Sequence, residues 1–259
     1  MNNGIINISW LHVVLTTLLI ILTGVCSMYL RLRLERDLIV GTIRTFLQLF
    51  LLGYVLKFVF DIKSPWVIFS LFTFMIIFAA ITISGRVKEK KVPYFLPVLV
   101  SIFLSYTVIN LFVMTVVIQV KPWYQPIYFI PIGGMIVGNS MNALAIAMNN
   151  WFDGIRKERD RIEQYLSLGA SARESTAENY RDAVKAGMIP SINALMTVGI
   201  VFIPGMMTGQ VLAGIDPLIA IKYQIVIMLL LVGSTGLSTI IALHIVRRLT
   251  FTPSEQLKI

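Results

Sequence analysis

Seven stretches of the chain are almost continuously apolar and reach the roughly 20 residues that a helix needs to cross a bilayer. They run from Trp10 to Leu30, Leu38 to Phe60, Pro65 to Ser84, Pro93 to Gln119, Ile127 to Trp151, Ile189 to Leu212 and Ile219 to Val246. Charges within them are confined to Arg44 and Lys57 of the second stretch and Lys222 at the start of the seventh, all near ends where a long side chain can snorkel. Trp10, Trp66, Trp123, Tyr124 and Trp151 cluster at the stretch ends, as interfacial aromatic belts do. Polar residues collect in short turns and in one long segment, 152–188. This pattern predicts an all-α, polytopic membrane protein of seven transmembrane helices forming a single domain over 1–259, with 152–188 as an amphipathic cytoplasmic segment.

Composition excludes a soluble fold. Hydrophobic residues make up 57% and charged residues 14% of the 259, with a mean hydropathy of +0.82, against about 25% charged in ordinary soluble domains. The net charge of +9 has a topological explanation: alternating sides of the predicted spans put eighteen of the 22 basic residues on one side. The positive-inside rule then places the N-terminus outside and the C-terminus in the cytoplasm, and no nucleic-acid partner is required. Cys26 is the sole cysteine and lies in an apolar run, which suggests a small buried hydrophobe and rules out an intramolecular disulfide. The residues before Trp10 lack the basic n-region of a secretory signal, so the first span is expected to be retained.

The chain contains no G-x-x-x-x-G-K-[ST] and no soluble stretch large enough for a nucleotide-binding domain, so it is not expected to hydrolyse ATP. Every acidic residue lies at a span edge or in a loop, and His12 and His244 lie near span ends, so no proton relay of the kind found in secondary transporters is laid out. No nucleophile–base pair or metal-ligating set occurs at membrane depth, which argues against an enzyme and calls for no cofactor. An ion-coupled secondary transporter or a seven-helix receptor acting alone is the competing class.

Some polar residues within the spans are candidates for lining a route. Met135, Asn139, Asn142 and Asn149 recur at helical spacing on the fifth span, where their amides could equally serve as interhelical glue; Gly134-x-x-x-Gly138 nearby suits close helix packing. The sixth carries Pro204-Gly205-Met206-Met207-Thr208-Gly209, which should interrupt the helix, and broken helices at depth usually line cavities. Met206, Met207 and Thr208 are therefore candidate lining residues. Thioether sulfur suits soft metals, whereas amide and hydroxyl oxygen suit hard ones. Arg44 and Gln48, one turn apart, either contribute or leave Arg44 to snorkel, to bind lipid phosphate or to pair with Asp37. Ser234, Thr235, Ser238 and Thr239 in the last span have the spacing of a helix or subunit interface.

In the polar segment, Ile162, Tyr165 and Leu166 share one helical face, and beyond Gly169 so do Ala177, Tyr180, Val184 and Met188. Two amphipathic helices joined near Leu168-Gly169-Ala170 are expected; they could lie on the membrane, continue the flanking spans or dock a partner.

The run from Glu163 to Ser171 resembles the EAA loop of bacterial ABC permeases, in which an acidic residue precedes a glycine by six positions, as Glu163 precedes Gly169. The loop's closing proline, expected near position 182, is met only at Pro190. Longer matches, Pro131 to Asn150, Tyr165 to Ser171 and Thr197 to Met228, with Arg44 and Gln48, strongly resemble the FetB-type permeases. These are membrane subunits of a bacterial iron-export system whose plant relatives are implicated in aluminium tolerance. The resemblance implies a bacterial inner-membrane ABC permease, a separate ATPase subunit docked on Glu163, Tyr165, Leu166, Leu168, Gly169 and Ala170, export of iron or a related metal species, and, since such transporters have two membrane halves, a homodimer.

Overall fold

The computed structural model describes residues 8–62 and 64–259; the readings that fall on 1–7 and on Lys63 lie outside the described residues. Among the described residues the structure is helical, with two isolated β-bridges and no longer strand. It divides into two compact units, Met1–Ser64 with Leu212–Gly214 and Pro65–Val211 with Ile215–Ile259.

In the first unit α1 (Trp10–Leu15) and α2 (Thr17–Tyr29) follow one another across Thr16, and α3 (Glu35–Ile62) packs along α2. The turn into α3 holds Arg31 and Arg33 in the left-handed region, φ 54° and 61°. Ser27 fastens that turn: its hydroxyl donates to Glu35 at 3.0 Å and accepts from the Leu34 N–H at 3.1 Å. Cys26 is exposed, not buried as its apolar setting suggested. A helix solvated by lipid can turn a weakly polar thiol outward at little cost, so apolar neighbours in sequence do not imply burial. Arg44 and Gln48 are also exposed on α3, and Arg44 makes no ion pair with Asp37 or with any other described carboxylate.

The second unit consists of α4 (Pro65–Arg86), α5 (Phe95–Phe112, continued by a π-helical turn, Val113–Val117), α6 (Pro126–Lys157), α7 (Arg159–Ser167), α8 (Ala172–Ser175), α9 (Ala177–Thr197), α10 (Gly205–Leu212, all but its last residue) and α11 (Pro217–Thr250). The helices α6 and α11 form its centre, each packed on α5 and α9, with α4 on α6. Ser234, Thr235, Ser238 and Thr239 are fully buried, so the small-residue stripe of α11 is a helix interface within the chain. Gly187 allows the closest approach there: an added Cβ would lie 2.9 Å from the Ala143 carbonyl and 3.3 Å from Thr239 Cγ2. On α6 the critical glycine is Gly133, where a Cβ would run into the Phe72 ring and sit 2.9 Å from Tyr106, whereas Gly138 faces open space. Trp151 is no belt residue either; it is fully buried, with its indole N–H donating to Thr250 at 3.3 Å.

Among the described residues, six helical spans are long and apolar enough to cross a membrane: Trp10–Tyr29, Glu35–Ile62, Pro65–Arg86, Phe95–Val117, Pro126–Lys157 and Pro217–Thr250. The stretch Ile189 to Leu212, expected as one more span, is two helices. The first, α9, starts well inside the polar segment and ends at Thr197; residues 198–204 are irregular, with Gly199 at φ 81°, and α10 begins at Gly205. The interruption precedes Pro204 because proline restricts the residue before it and suits a first helical turn. Its carbonyl accepts from the Thr208 N–H at 3.0 Å, so Pro204 opens a helix instead of breaking one.

These contacts predict that Gly133→Ala, by overpacking against Phe72, destabilises the detergent-solubilised protein by about 1–3 kcal/mol. Gly138→Ala is expected to leave the midpoint of thermal unfolding unchanged or slightly raised, and the two variants measured side by side check the packing.

Candidate functional site

The arginine- and lysine-rich turns of the second unit gather at one end, held there by specific contacts. Arg86 donates to Asn142 at 2.9 Å, the Lys88 N–H donates to Asn149 at 3.2 Å, and Asn149 donates back to the Arg86 carbonyl at 3.3 Å. Glu89, only 3% exposed, accepts from the Lys90 and Lys91 N–H groups at 2.8 and 2.6 Å and pairs with Arg156. Burial alone would raise its carboxyl, but the Lys91 N–H, Arg156 and the Lys90 N–H together hold it below the usual range. Asn142 and Asn149 are therefore engaged in fastening the α4–α5 turn to α6.

The polar segment lies at this same basic end. Its outer parts continue the spans: α6 runs six residues beyond Trp151, and α9 begins at Ala177. Only α7 and α8 lie between. Ile162 is buried, but its predicted face-mates differ: Leu166 is half-buried and Tyr165 is 48% exposed. On α9 the buried stripe is Asn179, Ala183 and Gly187, rotated from the predicted Ala177, Tyr180, Val184 and Met188. The rotation follows from Asn179 packing over Gly154 and donating to Glu158 at 2.9 Å, while Tyr180 points its hydroxyl at the Ile240 carbonyl, 3.3 Å away, beneath Arg247.

Between α7 and α8 the chain makes a doubly capped elbow. The Ala170 N–H donates to the Tyr165 carbonyl and the Gly169 N–H to the Leu166 carbonyl, both at 3.0 Å, the two bonds of a Schellman motif. That motif requires a left-handed residue, supplied by Gly169 at φ 90°. Two residues later Ser171 opens α8 with a capping box: its hydroxyl accepts from the Glu174 N–H at 3.3 Å, and the Glu174 carboxylate accepts from the Ser171 N–H at 2.9 Å. Glu163 is held by Arg159 at 2.8 Å. Leu168, at the tip, is 83% exposed. The hairpin after α11 backs the elbow: Glu255 accepts from the Ala172 N–H at 3.3 Å, and Ser254–Leu257 form one wall of a 570 Å³ polar groove whose other wall includes Arg159, Glu163 and Leu166.

Toward the break, Met135 and Asn139 of α6 meet Met206 of α10 and Gln224 and Met228 of α11 around a cavity of about 330 Å³. Met207 lines a second cavity of about 370 Å³, sharing Pro204, Gln224 and Met228 with the first. Thr208 is exposed and donates to the Pro204 carbonyl at 3.1 Å. Gln224 is the residue the sequence reading missed. It is 6% exposed and its Oε1 has no hydrogen-bond partner among the described residues; an amide within an apolar run was the available signal, the same one that singled out Asn139.

Residues 10–251 match the model of the uncharacterised protein family UPF0014. The chain belongs to that family. It is 33% identical to "Probable iron export permease protein FetB" of Escherichia coli over 97% of this chain and 95% of that one. Identity to "Protein ALUMINUM SENSITIVE 3" of Arabidopsis thaliana is 34%, covering 92% and 86%. Identity to the UPF0014 membrane protein slr1647 of Synechocystis is 38%, covering 83% of each. No solved structure matches. These findings bear out the resemblance read from the sequence and make the chain a multi-pass membrane permease of the bacterial inner membrane.

The elbow should respond to acid. The Ser171 hydroxyl and N–H lower the Glu174 carboxyl below its usual range, so the cap is complete above the ordinary glutamate value of about 4.3 and is lost as pH falls through the lowered one. Amide exchange at Ser171, referenced to Gly169, is expected to be constant between about pH 7 and 5 and to accelerate on further acidification. Glu174→Gln should abolish that dependence.

Proposed function

We propose that this chain is the membrane half of an ABC transporter that moves iron or a related metal species outward, driven by ATP hydrolysed in a separate cytosolic subunit. The elbow carries the reading. It is a rigid, doubly capped turn at the basic end, with Glu163 and Gly169 at the spacing of a permease coupling loop and with Leu168 and half of Tyr165 left uncovered. Burying one leucine side chain yields about 1.5–3 kcal/mol, and an ATPase cleft over the tip would gain it. The groove beside the elbow offers the polar rim such a contact needs. The substrate class is supported by the relative named as a probable iron export permease.

In this reading α9 and α10 together form one interrupted crossing, which makes seven, with the N-terminus outside and the basic end in the cytoplasm. The chain is a single permease domain whose route runs past Met135, Asn139, Met206 and Met207. Two copies form the working unit. Support for this comes from the break: the carbonyls of Val198, Gly199, Ile200 and Val201 accept no hydrogen bond among the described residues, while Ile200 and Val201 are 88% and 75% exposed. Lipid leaves the carbonyls unsatisfied and water suits neither side chain, so a protein surface covers them, and a second copy supplies it.

Gly169→Arg is expected to insert normally yet lose ATP-driven transport and copurification of the ATPase; retained ATPase stimulation in that variant, or transport in proteoliposomes on ion gradients alone, overturns the reading. In a Cys26→Ser background, Ile200→Cys should form a disulfide-linked dimer in membranes on mild oxidation. A product that stays monomeric and reacts freely with water-soluble maleimide refutes the pairing.

A further inference from the structure

The 330 Å³ cavity among α6, α10 and α11 has no charged side chain in its lining. It has three thioethers, from Met135, Met206 and Met228, together with the amides of Asn139 and Gln224. Both amides have oxygen to spare. Asn139 spends its NH₂ group on the Met135 carbonyl at 2.9 Å, and its Oδ1 accepts nothing among the described residues. Gln224 Oε1 is buried without a donor. A buried acceptor left unpaired is costly, and unpaired acceptors in native structures commonly mark an ion or water. The two unpaired amide oxygens and the three thioethers form an electron-pair-donor set that a cation fits, beside the Ser191 hydroxyl and the Gln224 NH₂ group of the same lining.

The same lining limits the cation's charge. Neutral donors leave the ion's charge uncompensated, and the cost of taking it from water grows as the square of that charge. Thioether sulfur adds affinity for soft and borderline ions but little for hard ones. We infer that this cavity is a transit site for a low-charge, soft-to-borderline transition-metal cation, held by the Met135, Met206 and Met228 sulfurs and the Asn139 and Gln224 amide oxygens, and that it rejects hard trivalent ions. The role in transit rests on the permease reading above; the binding does not.

The test uses the full chain with Cys26→Ser, which removes its only thiol, in nanodiscs without ATPase or nucleotide. It is titrated in chloride-free buffer with Ag⁺ as the soft monovalent probe and with Al³⁺ as the hard trivalent one, and bound metal is counted by mass spectrometry. Saturable Ag⁺ binding is expected, weakened at least tenfold both in the near-isosteric Met206→Leu/Met228→Leu pair and in Gln224→Leu, with no saturable Al³⁺ binding. Ag⁺ affinity changed less than threefold in both variants, or Al³⁺ held as tightly as Ag⁺, overturns the site. Failure of the ATPase to copurify leaves a positive binding result standing and refutes only the transport role.

Discussion

Hydrocarbon offers no hydrogen bonds, and this constraint decides most of the structure. Each backbone N–H and C=O must find its partner locally, so the spans are helices whose own ladders satisfy them. The hydroxyls of Ser101, Ser105, Ser234 and Thr250 obey the same rule by bonding back to carbonyls one turn earlier. Helix association then depends on close packing, which is why Gly133 is fixed by the Phe72 ring and Gly187 by the Ala143 carbonyl and the Ala147 methyl. The irregular segment 198–204 departs from the rule, and the cavities, the orphaned Gln224 and the methionine pair all lie beside it.

The basic end is built on different terms. Water is at hand, so charged groups and caps do the positioning. Glu89 gathers the α4–α5 turn onto Arg156, Glu158 holds Arg161 and Asn179, and backbone bonds, one capping box and Glu255 on the Ala172 N–H hold the elbow. Apolar side chains at the tip remain uncovered because this small, polar neighbourhood has nothing to pack on them.

How much of this could be read from the sequence depended on whether the signal was local. Six span positions were legible because bilayer thickness sets a length, and the elbow because Gly169 interrupts the helical pattern locally; the Ser171-x-x-Glu174 capping box, equally local, went unread. Burial was not legible where it depends on neighbours distant in sequence: Cys26 faces outward, Trp151 inward, and the buried stripe of α9 turns toward Asn179, whose partner Glu158 is contributed by the end of α6. Asn139 and Asn142 looked equivalent by spacing. They separate only because Arg86, far away in the chain, reaches Asn142 and leaves Asn139 beside the cavity.

The helix α9 begins just after the elbow and ends at the break, 21 residues in one piece, or about 31 Å of axis. No loop intervenes between the two places. On the proposed coupling, a push on the tip is delivered as displacement of a rod, whose compliant joint is Pro190, which lacks the N–H that would bond one turn back. On that coupling, the stiffness of the single rod sets how faithfully a stroke at the elbow becomes a change in the shape of the break.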